Sequence, residues 1–193
     1  MATTAGFTQQ VIDEFVGASH GDLARAKELL AQHPDVLEAR ARWDETALGA
    51  AAHTGQKEIA EFLLSAGAPL DICTASMLGM ASRVAAMLEA DPRLAGAKGA
   101  HGIPVLFHAA IRGHKQVAEL LLAHGTDVNA GAGGNTALHG AAMFGQTSMA
   151  EWLLARGADV NTLDYEGKTP LRQAVEHGHG DVADLLRRHG GTE

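Results

Sequence analysis

Gly134 to Thr162 reads GNTALHGAAMFGQTSMAEWLLARGADVNT, and the rest of the chain resolves into altered or shortened copies of it. Thr136 precedes an Ala-rich run and can cap a helix with its hydroxyl, while Gly145 supplies the positive φ that a helix end needs. Between them lies one short helix. Beyond Gly145, Met149, Trp152 and Leu153, with Ala150 and Leu154, recur at spacings of three and four, an apolar stripe on a second helix that stops at Gly157. Such a helical hairpin cannot bury its stripe alone and needs a similar unit on each side.

The glycine between the two helices serves as a register mark. It recurs at Gly21, Gly55, Gly79, Gly113, Gly145 and Gly178, in steps of 34, 24, 34, 32 and 33 residues. An apolar pair follows eight and nine residues later: Leu29-Leu30, Leu63-Leu64, Met87-Leu88, Leu121-Leu122 and Leu153-Leu154. In the sixth copy Leu186 is followed by Arg187, Arg188 and His189, so the last helix presents a polar outer face, as a terminal cap should. The pattern predicts one domain over 1–193, with an N-terminal cap over about 7–40 and a C-terminal cap over about 167–191.

This pattern resembles the ankyrin repeat, of the kind carried by bacterial cytoplasmic proteins. The family pattern is a Gly, Thr-Pro-Leu-His, an Ala pair, a Gly, a Leu pair and a closing Gly-Ala-Asp-Val-Asn. The decisive stretch supplies Gly134, Thr136-Ala137-Leu138-His139, Ala141-Ala142, Gly145, Leu153-Leu154 and Gly157 to Asn161, with Ala137 in place of the Pro. The resemblance implies an all-α solenoid of six helix-turn-helix repeats with short β-hairpin fingers. It also implies that the pattern residues are structural, His139 bonding neighbouring backbone, and that a target is read by the positions left free.

Copy three departs most. Between Leu64 and Ala75-Ser76 there are too few residues for a finger, so Ala68-Pro69-Leu70-Asp71 must turn directly into the next helix, with Asp71 as cap. A long loop, Asp91 to Gly102, then leads into copy four, where Pro104 stands at the capping Thr. Twelve helices in six pairs are expected, with no finger before copy three.

The free positions give the candidate binding residues. On the fingers they include Arg42, Trp43, Glu45, His101 and Tyr165; before the register glycines they include His53, Met77, Leu78, Ile111, Arg112, Met143 and Phe144. Solvent favours polar groups at exposed sites, so the hydrophobes of the middle copies predict one merged patch on the concave face. The competing reading is that some of them tuck into the core around copy three. A non-catalytic module binding another protein, one with a basic rim, is the leading expectation. The alternative is a small-molecule or catalytic site in the gap left by the missing finger, walled by Trp43, Glu45, His53, Met77, His101 and Arg112, a group with an acid, two bases and an aromatic wall.

Composition narrows the partner classes. Lys plus Arg number 15 against 23 Asp plus Glu, a net charge of −8, which argues against a nucleic-acid binder. The opening MATTAGFTQQ has no basic segment ahead of an apolar run, and no stretch approaches membrane-spanning length, which predicts a cytoplasmic protein without a membrane partner. Cys73, the single cysteine, fits a reducing compartment and reads as a buried, inert thiol. No cofactor and no metal are expected: His177 and His179 form an HxH pair, but three or four convergent ligands are required, and the register forces none beside that pair. Gly131-Ala132-Gly133-Gly134 lacks the GK(S/T) ending of a phosphate loop and reads as a flexible finger.

Overall fold

A computed structural model describes residues 8–193. Phe7, the expected start of the first copy, lies outside them. Among the described residues twelve α-helices run in antiparallel pairs: α1 (Gln9–Ala18) with α2 (Leu23–Gln32), α3 (Ala47–His53) with α4 (Lys57–Ser65), α5 (Ile72–Met77) with α6 (Ala81–Ala90), α7 (Val105–Ala110) with α8 (Lys115–Ala123), α9 (Ala137–Met143) with α10 (Thr147–Leu154), and α11 (Pro170–Glu176) with α12 (Gly180–Arg188). The short odd-numbered helices stack on one another through the middle of the array, and so do the even-numbered ones from α2 to α4, α6 to α8 and α10 to α12.

Local chemistry explains the boundaries. Thr46, Asp71, Thr136 and Thr169 each accept a backbone N–H three residues on, closing the open end of α3, α5, α9 and α11. At Thr136 the reach is reciprocal, because the His139 ring folds back to the Thr136 amide. The register glycines from Gly55 onward have φ between +66° and +74°, the left-handed conformation that lets the chain reverse between paired helices. The apolar face of α12, with Val182, Ala183, Leu185 and Leu186, is buried while Arg187 and Arg188 face solvent, as a closing copy requires.

Copies are also tied to each other by polar side chains. His114 donates from Nε2 to the Met77 carbonyl at 3.0 Å, and His179 does the same to Met143 at 3.0 Å. On the other edge Asn129 bonds Gly157 O and Asp159 N, and Asn161 bonds Gly190 O and Thr192 N. The HxH pair is thereby accounted for: His179 holds the neighbouring copy and His177 bonds Gln173 O within its own helix.

The fingers are thinner than expected. Instead of β-hairpins, only two isolated bridges form among the described residues, Arg40 with Thr46 and Lys98 with Pro104. Ahead of α9 and α11 the chain makes hydrogen-bonded turns, closed by Gly134 N to Gly131 O and Asp164 N to Lys168 O. No finger precedes α5, which starts straight after the cap Asp71. The expected loop between Asp91 and Gly102 is ordered into two 3-10 turns, Pro92–Gly96 and Ala100–Gly102. Thr126 fastens the first of them by a 2.6 Å bond to Ala95 O.

Candidate functional site

Where the third finger would stand, a cavity of about 750 Å³ opens between the turn at residues 40–46 and the segment at 97–102. Leu70, Asp71, Cys73, Met87, Leu94 and His108 line it on one side, and Trp43, Glu45 and His101 on the other. A second hollow of about 590 Å³ lies between His101–Pro104 and Gly131–Asn135, walled by His53 and Tyr165.

Glu45 is the chemical centre of this region. Its side chain is only 1% exposed although it lies on a surface turn. Oε2 accepts from Trp43 Nε1 at 2.8 Å and stands 3.3 Å from His20 Nε2. Oε1 stands 3.0 Å from His53 Nδ1 and 3.5 Å from His101 Nε2, yet it receives no aligned hydrogen bond. The three imidazoles enclose it, with His20 and His53 ring centroids 5.3 Å apart and His53 and His101 again 5.3 Å apart, both edge to face. Burial pushes the Glu45 carboxyl upward, but the His20 and His53 rings beside it and the Trp43 indole N–H outweigh it and hold the group well below the usual carboxylate range. His20 is raised in turn, chiefly by its hydrogen bond to Glu45.

The cavity floor is chemically quieter. Burial pushes the Cys73 thiol up to about 12, with Asp71 adding to it, so the sulfur stays protonated. Burial pushes His108 down to about 3, assisted by the charge of His53, and keeps its ring neutral. His108 Nδ1 bonds Pro104 O, while Nε2 is buried without a partner beneath Gly99, where a Cβ would come within 2.8 Å of it. Only glycine lets the backbone pass so close.

The predicted site residues separate into three groups. Trp43, Tyr165, Arg42, Arg112 and His101 are exposed; Trp43 and Tyr165, at 43% and 71%, are among the most exposed large hydrophobic side chains. His53, Leu78, Met143 and Phe144 are half-buried. Met77 and Ile111 are fully buried at 0% and belong to the core, which corrects the expectation that they form an exposed patch. The reason at Ile111 is Gly140 of α9, whose absent side chain lets Ile111 and Phe107 close against its backbone; a Cβ there would lie 3.0 Å and 2.9 Å from them. Glu45, buried as described, has no surface to offer a partner either. The merged apolar patch therefore shrinks to Leu78, Met143 and Phe144, and of these Leu78 and Phe144 pack partly against the core beneath.

Two residues were passed over in the sequence. Leu163, 51% exposed beside Tyr165, sits on the turn before α11. His20 occupies the first copy's position just before the register glycine, the position of Thr54, Leu78, Arg112, Phe144 and His177 in the other copies. Treating the first copy only as a cap hid it.

Among the described residues no helix is long and apolar enough to cross a membrane. A comparison with curated proteins finds no match. The family description for three ankyrin repeats matches residues 72–164 and 134–193, and that for a single ankyrin repeat matches residues 43–75. With stacked helix pairs, the His139 bonds to Thr136 and to Lys168 O, and matches over most of its length, the chain belongs to the ankyrin-repeat family, whose repeats are in general protein-interaction modules.

Proposed function

We propose that the chain is a non-catalytic recognition module that engages another protein through the concave face formed by its fingers and short helices. The observation that carries this reading is the exposure of Trp43 and Tyr165 at finger tips, Trp43 on the wall of the 750 Å³ cavity and Tyr165 on the wall of the 590 Å³ hollow. Exposed aromatic rings flanked by Arg42 and His101 make the mixture of anchors and polar rim that binding hot spots favour. The partner carries an apolar side chain for the hollow and a basic rim, complementary to a net charge of −8. Trp43→Ala and Tyr165→Ala should each weaken binding of a captured partner by at least about 1 kcal/mol with helical content unchanged. Amide-exchange protection confined to the even-numbered helices, away from residues 43–54, 101–104 and 165, would sink the reading.

A second reading is favoured by one observation, the convergence of His20, His53 and His101 on a buried carboxylate beside a 750 Å³ cavity. There the gap holds a small ligand instead of a protein side chain. Calorimetric titration with small polar metabolites separates the two: saturable heat lost in His101→Ala supports the ligand reading, and its absence leaves the partner reading alone.

A further inference from the structure

The Glu45 cluster has the makings of a ligand set. One ring nitrogen of His20, one of His53 and one carboxylate oxygen of Glu45 lie within 4.8 Å of one another. The separation of His20 Nε2 from Glu45 Oε2, 3.3 Å, approaches the ~3.4 Å between donors on a tetrahedral ion with bonds of ~2.1 Å.

The hydrogen bonds around the cluster prepare it in the same sense. His20 gives its Nδ1 proton to Val16 O at 3.1 Å, which turns Nε2 toward Glu45. His53 gives its Nδ1 proton to Gly49 O at 3.1 Å, leaving its other ring nitrogen as a lone pair. Backbone carbonyls that fix the tautomer and aim of an imidazole are the usual outer support of a metal-binding histidine. Glu45 Oε1 is the independent sign: a carboxylate oxygen on a side chain 99% out of water, facing two imidazoles, without a hydrogen bond of its own. Native proteins seldom leave such an atom unmatched.

The fourth direction is also provided for. His101 stands 3.5 Å from Oε1 on a backbone with φ +55°, a left-handed conformation that is costly for a residue with a side chain. Strain of that kind is held where it places a group usefully.

We propose that His20, Glu45 and His53 bind one divalent transition-metal ion of the zinc class, with His101 or water completing four-coordination toward the cavity. Two imidazoles and a carboxylate suit Zn2+ or Co2+, whereas calcium and magnesium call for oxygen donors. The inference stands apart from the partner-binding reading, since it concerns the protein alone.

The test uses the full chain stripped with a chelator and titrated calorimetrically with Zn2+, with Co2+ absorption reporting geometry. One equivalent is expected to bind, with the visible bands of four-coordinate cobalt, and affinity should fall at least tenfold in His53→Ala and in His20→Ala but not in the His177→Ala, His179→Ala double variant. Should a variant fail to fold by circular dichroism, histidine-ring nuclear magnetic resonance of the unaltered protein decides: Zn2+ must shift His20 and His53. No stoichiometric binding, a loss below tenfold in both folded variants, or ring shifts confined to His114, His177 and His179 would overturn the proposal.

Discussion

Ile111 and Phe144 show how one substitution reads differently a few ångströms apart. Ile111 is sealed between α7 and Gly140, so Ile111→Ala removes buried methylenes from a site whose walls cannot collapse and should cost about 2–5 kcal/mol, the range expected for Leu121→Ala and Leu153→Ala. Phe144 is only partly buried, and Phe144→Ala should cost less than Ile111→Ala; urea midpoints compare them, and equal losses would make Phe144 core as well. His108 supplies a pH dependence. Its folded pKa of about 3 lies below the value of 6.5 it has when unfolded, so the unfolded chain takes up a proton that the folded chain refuses. Its contribution to stability is full above pH 6.5, declines as pH falls through 6.5, and stops declining near 3. Urea midpoints between pH 7 and 4 should therefore fall less steeply in His108→Leu than in the unaltered protein, and parallel curves would show that the ring does not stay neutral. At this scale the sequence was half legible. Glycine and capping positions follow from single residues and their neighbours, and Asp71 and Thr136 behave as their types require. Burial at Ile111 does not, because it depends on what the next copy lacks, here the side chain of Gly140.

Between elements, the histidine after the register glycine joins one pair to the one before it. His179 carries the last pair onto α9 by its bond to Met143 O, and the same ring packs over Gly145, where an added Cβ would lie 2.7 Å from Nδ1. His179→Ala removes the donor and leaves that carbonyl dependent on water, a loss of about 1 kcal/mol. His177→Ala, whose ring bonds only its own helix, should change stability by less than about 0.5 kcal/mol. Equal effects in chemical denaturation would mean that the link between pairs contributes nothing. The pairing of helices was legible at this scale, since stripe and glycine repeat in every copy and an apolar pair in five of the six. The fingers were less so: the resemblance implies hairpins, whereas only single bridges form at Arg40–Thr46 and Lys98–Pro104. The Glu45 cluster was the least legible. It joins the turn before α3 to the ends of α1 and α3 and to the segment before α7, so its members are spread from residue 20 to residue 101 and meet only in three dimensions.

On the scale of the whole molecule, the short third copy interrupts the rim without interrupting the stack. Both members of the pair, α5 and α6, keep their contacts with α3, α7 and α8 although nothing projects ahead of α5. The connection that replaces the finger passes through an exposed Pro69 and a half-buried Leu70. Length there is thus a free variable, in the sense that matters for insertions and deletions. A segment spliced between Pro69 and Leu70 meets an open cavity before it meets any packed neighbour, and the entropy of a somewhat longer loop grows only slowly with its length. Grafting the turn of residues 163–168 at that point should leave the melting temperature within a few degrees while closing the mouth of the cavity to probes of its interior. A graft that unfolds the protein would mean the gap is a constraint on the chain. A graft that is accepted would mean the chain carries a vacancy in its reading frame, one that can be filled or left open without rewriting the copies on either side.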